Sequence, residues 1–180
     1  MGLKKRLAAI KLLALDVDGV LTDGTINIGA KGELYKAFFA QDGMGISIAL
    51  RNGLQIAIIT GRKSEIIHKR AQELGITLLY EGVKDKYVQL QAIQKELQLQ
   101  QQQLAYMGDD LNDLPAFNAA GFSFAPSDAV AEVKAAADTV VAAAGGRGAV
   151  RSAIEKILKA QGIWEQIVSA YSQSGQGDNQ

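Results

Sequence analysis

Six short apolar runs, at 12–17, 54–60, 76–80, 104–107, 122–125 and 139–141, alternate with stretches in which apolar residues recur at helical spacing. The helical stretches lie near 45–52, 63–74, 85–97, 111–120, 129–137 and 149–160. Runs apolar on both faces suit parallel strands covered by helices on both sides. Their regular alternation with helices predicts an α/β fold: a doubly wound, mostly parallel sheet. One segment breaks the rhythm. Residues 24–39 read TINI, then GAKG, then ELYKAFF, which predicts a β-hairpin insertion turning at 29–32. The stretch 89–103 holds eight glutamines. It reads as a helix with a solvated face and an inner edge of Leu90, Ile93 and Leu97.

Length and composition then narrow the function. A chain of 180 residues makes about one domain, expected over 1–171, with a polar tail at 172–180 that reads as disordered. Lysine plus arginine and aspartate plus glutamate both number 19, so the net charge is zero and a basic nucleic-acid footprint is absent. There is no cysteine, which excludes disulfides, thiol catalysis and thiolate metal sites. The single histidine, His68, excludes multi-histidine metal sites and reads as a residue of a surface helix. Lys4, Lys5 and Arg6 followed by apolar residues look like a secretory signal, but Lys11 and Asp16 interrupt the run and no cleavage site follows. The expectation is a cytoplasmic protein with no membrane partner.

In open α/β sheets, ligands bind beyond the carboxyl ends of the strands. The residues placed there are Asp16, Asp18 and Asp23 after the first run, Thr60, Gly61 and Arg62 after the second, Lys84 and Lys86 after the third, and Gly108, Asp109, Asp110 and Asp113 after the fourth. Like charges about 4 Å apart cost about 4 kcal/mol at an effective dielectric of 20. Clustered carboxylates therefore need positive charge, and Lys86 with a hard divalent cation such as Mg2+ would supply it. Asp109, Asp110 and Asp113 also suit the start of the helix at 111–120, and both uses stay open here. No P-loop is present, and the acids lack EF-hand spacing. The segment 145–151, GGRGAVR, makes a glycine-rich helix start. There Arg147 either clamps a substrate carboxylate or is simply solvated.

Asp16-Val17-Asp18-Gly19-Val20, Thr60, Lys86 and Gly108-Asp109-Asp110 with Asp113, in that order, resemble the four motifs of the haloacid dehalogenase superfamily. The resemblance implies that Asp16 is a nucleophile forming an aspartyl-phosphate and that Asp18 is the general acid and base. Thr60 and Lys86 would hold the phosphoryl group. Asp16, the Asp18 carbonyl and Asp109 would ligate Mg2+, with Asp110 and Asp113 nearby. Only the hairpin lies between the first motif and the helix near 45, and only a helix and strand lie between Thr60 and Lys86, so no cap domain fits. The stretches DVDGVLTDG, DGMGI, IITGR, GDDLNDLP and GGRGAVR are similar to small capless phosphatases of sugar acids.

That likeness adds Gly61, Arg62, Asp42, Gly43 and Arg147 as substrate-binding residues. It also implies a homotetramer in which one subunit's hairpin and tail help cover another's site. The substrate it favours is 3-deoxy-D-manno-octulosonate 8-phosphate, a small phosphorylated sugar. Gln41 stands where such relatives carry a basic residue, which leaves an N-acylneuraminate 9-phosphate as the alternative. A receiver-like phosphorylatable domain and a non-catalytic assembly protein are the rival classes. A receiver lacks a second catalytic acid two residues after the first, and this chain has Asp18.

Overall fold

The computed structural model describes residues 2–173. Six parallel strands form one sheet: β1 (Leu12–Leu15), β4 (Gln55–Ile59), β5 (Leu78–Tyr80), β6 (Leu104–Met107), β7 (Phe122–Ala125) and β8 (Thr139–Val140). Their order is β5-β4-β1-β6-β7-β8. The chain builds outward from β1 in one direction, then returns to β6 and builds the other way. The topological switch therefore falls between β1 and β6, and a crevice opens beyond their carboxyl ends.

Strand alternation divides the side chains between two cores. Leu13, Leu15, Ile56, Ile58, Phe122 and Phe124 face one side. There they meet α2 (Ala40–Arg51), α3 (Glu65–Leu74) and α7 (Ala149–Ala160) through Ile46, Ile67, Ile154 and Ile157. Leu12, Ala14, Ala57, Ile59 and Leu104 face the other, against Leu90 and Ile93 of α4 (Lys86–Glu96) and Ala116 of α5 (Leu114–Ala119). β1 and β6 are buried along their whole length, as their unbroken apolar sequence requires. Local signals fix the helix ends. Ser64 caps α3, Gly75 ends it in the left-handed region at φ 73°, and Asp85 caps α4. The glutamine-rich segment forms α4 as expected, with Gln91 exposed and Gln89 half-buried, though the helix ends at Glu96 and a short 3-10 turn follows at Gln101–Gln103.

The hairpin is present as β2 (Asn27–Gly29) and β3 (Gly32–Tyr35), separate from the main sheet. Ile28, Leu34 and Tyr35 on it are exposed. No cap intervenes: only the hairpin separates β1 from α2, and only α3 and β5 separate β4 from α4. The helix α6 (Ala131–Ala136) lies between β7 and β8. Two further helices, α1 (Leu3–Ala8) and α8 (Trp164–Gln173), lie outside the segments expected to be helical. The polar tail begins inside α8, at Ser172 and Gln173, and its remainder at 174–180 lies outside the described residues. Among the described residues no helix is long and apolar enough to cross a membrane.

Candidate active site

Asp16 follows β1 directly and its N–H donates to the Met107 carbonyl of β6 at 3.0 Å, so pairing of the two strands carries on into the switch point. Lys86, the first residue of α4, reaches across from the neighbouring connection. Its Nζ lies 2.8 Å from Asp16 Oδ1 and 2.6 Å from Asp113 Oδ1, with the lysine side chain 3% exposed. Burial alone would lower the Lys86 pKa, but the two carboxylates outweigh it and raise the pKa above the ordinary lysine value.

Asp113 is fully buried and its bonding is complete. Oδ1 accepts from Lys86 and, at 2.7 Å, from the Tyr106 hydroxyl; Oδ2 accepts from the Asp109 and Asp110 N–H groups at 2.9 and 3.3 Å. With both oxygens doubly engaged, Asp113 organises the loop rather than offering a lone pair. Gly108 is needed beside it, because a Cβ there would overlap the Asp113 side chain.

Asp109 is different. Its Oδ1 is buried without a hydrogen-bond partner. Donor oxygens of Asp16, Asp109 and Asp113 lie within 4.8 Å of one another. An orphaned buried carboxylate oxygen beside a second carboxylate, with no imidazole or thiolate near, fits a hard divalent cation. Burial, then the Asp113 charge, pushes Asp16 up to about 6 against the pull of Lys86. Burial, then Asp16, Asp113 and Asp110, pushes Asp109 up to about 7. Without a cation, the folded state therefore binds protons that the unfolded chain, with carboxylates titrating near 4, has already released. The cluster's contribution to stability then falls as pH rises from about 4 through 7. In EDTA the melting temperature is expected to drop between pH 5 and pH 8, and millimolar magnesium should remove most of that drop; a flat or rising curve in EDTA would contradict the cluster's electrostatics.

Asp18 has partners of its own. It pairs with Lys36 through Oδ1, and Arg62 Nε stands 3.5 Å from Oδ2. Thr60 is buried at the end of β4, its hydroxyl accepting from the Arg62 N–H at 3.2 Å. Gly61 and the Arg62 side chain are exposed on the same loop, and Lys84 is exposed as well. Gly19, at φ 92°, packs so closely under Asp109 that any Cβ would overlap its carboxylate. Gly145 presses likewise on the Gly19 carbonyl, which seats the glycine-rich loop against the first motif. Arg147 sits at the exposed rim, 3.9 Å from Asp23. Asp110 is exposed and accepts from the Leu111 N–H at 2.7 Å, while Asp113, which accepts from the Asp110 N–H, serves both the helix start and the cluster.

Some expected residues are not brought to the cluster. Asp42 is buried, and its two oxygens accept from the Gly148 and Arg151 N–H groups at 3.1 and 2.8 Å, so it caps α7. Gly43 lies beside Arg70 in a cleft of about 790 Å3 whose wall includes Lys36, Lys69 and Arg70. Gln41 is exposed on the first turn of α2. His68 is a surface residue, 3.8 Å from Glu81. Sequence reasoning missed Tyr106, Lys36, Glu33 and Ser64. Tyr106 carried a signal, as the one polar group in an otherwise apolar strand; the other three did not.

A model of haloacid dehalogenase-like hydrolases matches residues 79–154. The 3-deoxy-D-manno-octulosonate 8-phosphate phosphatase of Escherichia coli K12 is 46% identical over 85% of this chain and 81% of its own length. That of Haemophilus influenzae is 42% identical over 89% of each. The crystal structure of the Moraxella catarrhalis phosphatase, in complex with magnesium, phosphate and KDO, superposes with a TM-score of 0.90 at 39% identity, covering 93% of this chain and 97% of that one. The cobalt-bound Haemophilus influenzae enzyme gives 0.89 at 42%, covering 92% and 97%. The chain belongs to the haloacid dehalogenase-like hydrolases. Within them it is similar to phosphatases of a phosphorylated eight-carbon sugar acid, and it is itself a phosphatase.

Proposed function

We propose that this phosphatase hydrolyses 3-deoxy-D-manno-octulosonate 8-phosphate with magnesium as cofactor, Asp16 being the nucleophile. The orphaned Asp109 oxygen beside Asp16 carries the metal part of this reading. Asp16, Asp109 and the Asp18 backbone carbonyl would hold the ion, which when bound offsets the repulsion between a carboxylate nucleophile and an anionic phosphate. Lys86, locked by Asp113, adds fixed positive charge against the transferring group, and the Thr60 hydroxyl with the Gly61 N–H offers it hydrogen bonds. Asp18 gives its proton to the departing sugar oxygen as the Asp16 carboxylate oxygen bonds phosphorus. It then takes a proton from the water that attacks phosphorus and releases phosphate from Asp16.

Arg147 and Arg62, exposed at the rim, are suited to an acidic sugar. Asp42 and Gly43 belong to this reading only through the shape they give α2 and α7. A cytoplasmic homotetramer is part of the same proposal, and the exposed Ile28, Leu34 and Tyr35 of an otherwise marginal hairpin support it. The test is phosphate release from a panel of phosphosugars. Sustained turnover of 3-deoxy-D-manno-octulosonate 8-phosphate, lost in EDTA and regained with magnesium, is expected. A marked preference for an N-acylneuraminate 9-phosphate would replace the substrate, and a single phosphorylation without turnover would overturn the enzyme.

A further inference from the structure

Lys36 follows β3 of the hairpin, yet its side chain is only 2% exposed. Its Nζ pairs with Asp18 Oδ1 and lies 3.0 Å from Glu33 Oε1. The other Glu33 oxygen accepts from the Ser64 hydroxyl, and Ser64 caps α3 immediately after the Thr60 loop. A chain of charged contacts, Asp18–Lys36–Glu33–Ser64, thus joins three segments that meet nowhere in sequence: the loop after β1, the hairpin, and the start of α3. Arg62 touches only the far oxygen of Asp18, at 3.5 Å. The geometry points to Lys36 as a positioning residue for Asp18: it fixes the direction of that carboxylate and makes the hairpin part of the catalytic frame. The inference rests on the acid–base role of Asp18 proposed above.

A charged side chain is costly to bury unless it is paired, and this one lies between two acids that solvent still reaches, their side chains 20% and 25% exposed. A lysine needed only to anchor the hairpin could have used Glu33 alone. Contact with Asp18 holds one oxygen and leaves the second beside Arg62, a residue of the loop that follows Thr60. A misplacement of about 1 Å in a catalytic group can cost about a hundredfold in rate. Lys36 also lines the cleft described above, so direct contact with substrate is the competing role.

A double-mutant cycle separates the two. Lys36→Met is expected to lower kcat by about 10- to 100-fold with KM changed less than about threefold. In an Asp18→Asn background the same substitution should cause no further loss, measured over long incubations. Lys36→Arg should restore most of kcat. Because Asp18 and Glu33 keep access to water, Lys36→Met should remain folded. Glu33→Gln, a surface change, gives a second route, with kcat down by roughly three- to tenfold in wild type and unchanged on Asp18→Asn. Losses that add in the double mutant, a change confined to KM, or wild-type rates in both single variants would overturn the inference. An Asp18→Asn enzyme with full activity would instead overturn the acid–base reading itself, whatever Lys36 does.

Discussion

Asp16→Asn should leave a folded protein that releases phosphate at least about ten-thousandfold more slowly than wild type. The amide is isosteric and its oxygen can still accept from Lys86, which now stands 2.8 Å from Asp16 Oδ1. The substitution removes negative charge from a crowded cluster in which Asp16 and Asp109 are both held above the ordinary carboxylate range. In the absence of metal the variant is therefore expected to melt no lower than wild type at pH 8. Chemistry fails for a separate reason: a neutral amide cannot form the acyl phosphate. A residual rate within about tenfold of wild type would mean that another group attacks phosphorus.

Lys86→Met should be the most damaging single change to stability. It deletes the one cation bridging Asp16 and Asp113, both of them buried, and leaves two carboxylates facing each other. Breaking a buried pair by removing one partner costs about 3–5 kcal/mol. Against a total of about 5–15 kcal/mol that is a large fraction. For a chain of this size it corresponds to a melting temperature lower by roughly 6–20 °C. The loss has a pH signature. Protonating a stranded carboxylate removes the repulsion, so the deficit relative to wild type should shrink at pH 5 and widen at pH 8. Activity should be lost at both. Urea or thermal melts of the two proteins across that range measure it, and a difference below about 1 kcal/mol at pH 8 would show that Lys86 is not the cluster's counter-charge.

The strand ends were legible because the apolar runs lead, within a few residues, into Asp16, Thr60, Lys86 and Asp109. Asp16, Thr60, Lys86 and Asp109 were placed on one edge of the sheet by that rule alone, and the structure brings Asp16, Lys86, Asp109 and Asp113 within contact. What could not be read depends on long-range docking. Asp42 sits in a glycine-flanked motif that looks like a binding loop, but it spends both oxygens on N–H groups more than a hundred residues away. Lys36 sits in an alternating hairpin, and alternation says nothing about which way the hairpin folds over the sheet.

Helices α1 and α8 were missed for related reasons. α1 is six residues long, too short for a periodic signal. Arg6 holds it in place through two 2.7 Å bonds to Asp138 and one of 2.9 Å to the Gly121 carbonyl. α8 begins at Trp164, whose ring lies under Arg151 and Lys159 of α7. Asp113 was legible as an acid of the site. Its role as an organiser became visible only through Tyr106, Lys86 and the two N–H groups that fill its oxygens.

The central claim is that the carboxylate at position 16 receives the phosphoryl group. Rapid acid quench of the enzyme mixed with magnesium and 32P-labelled 3-deoxy-D-manno-octulosonate 8-phosphate tests it directly. The expected result is an acid-stable, hydroxylamine-sensitive label on the peptide containing Asp16, formed before the steady state and absent from Asp16→Asn. Phosphate release at the wild-type rate with no label on that peptide at any quench time would contradict it.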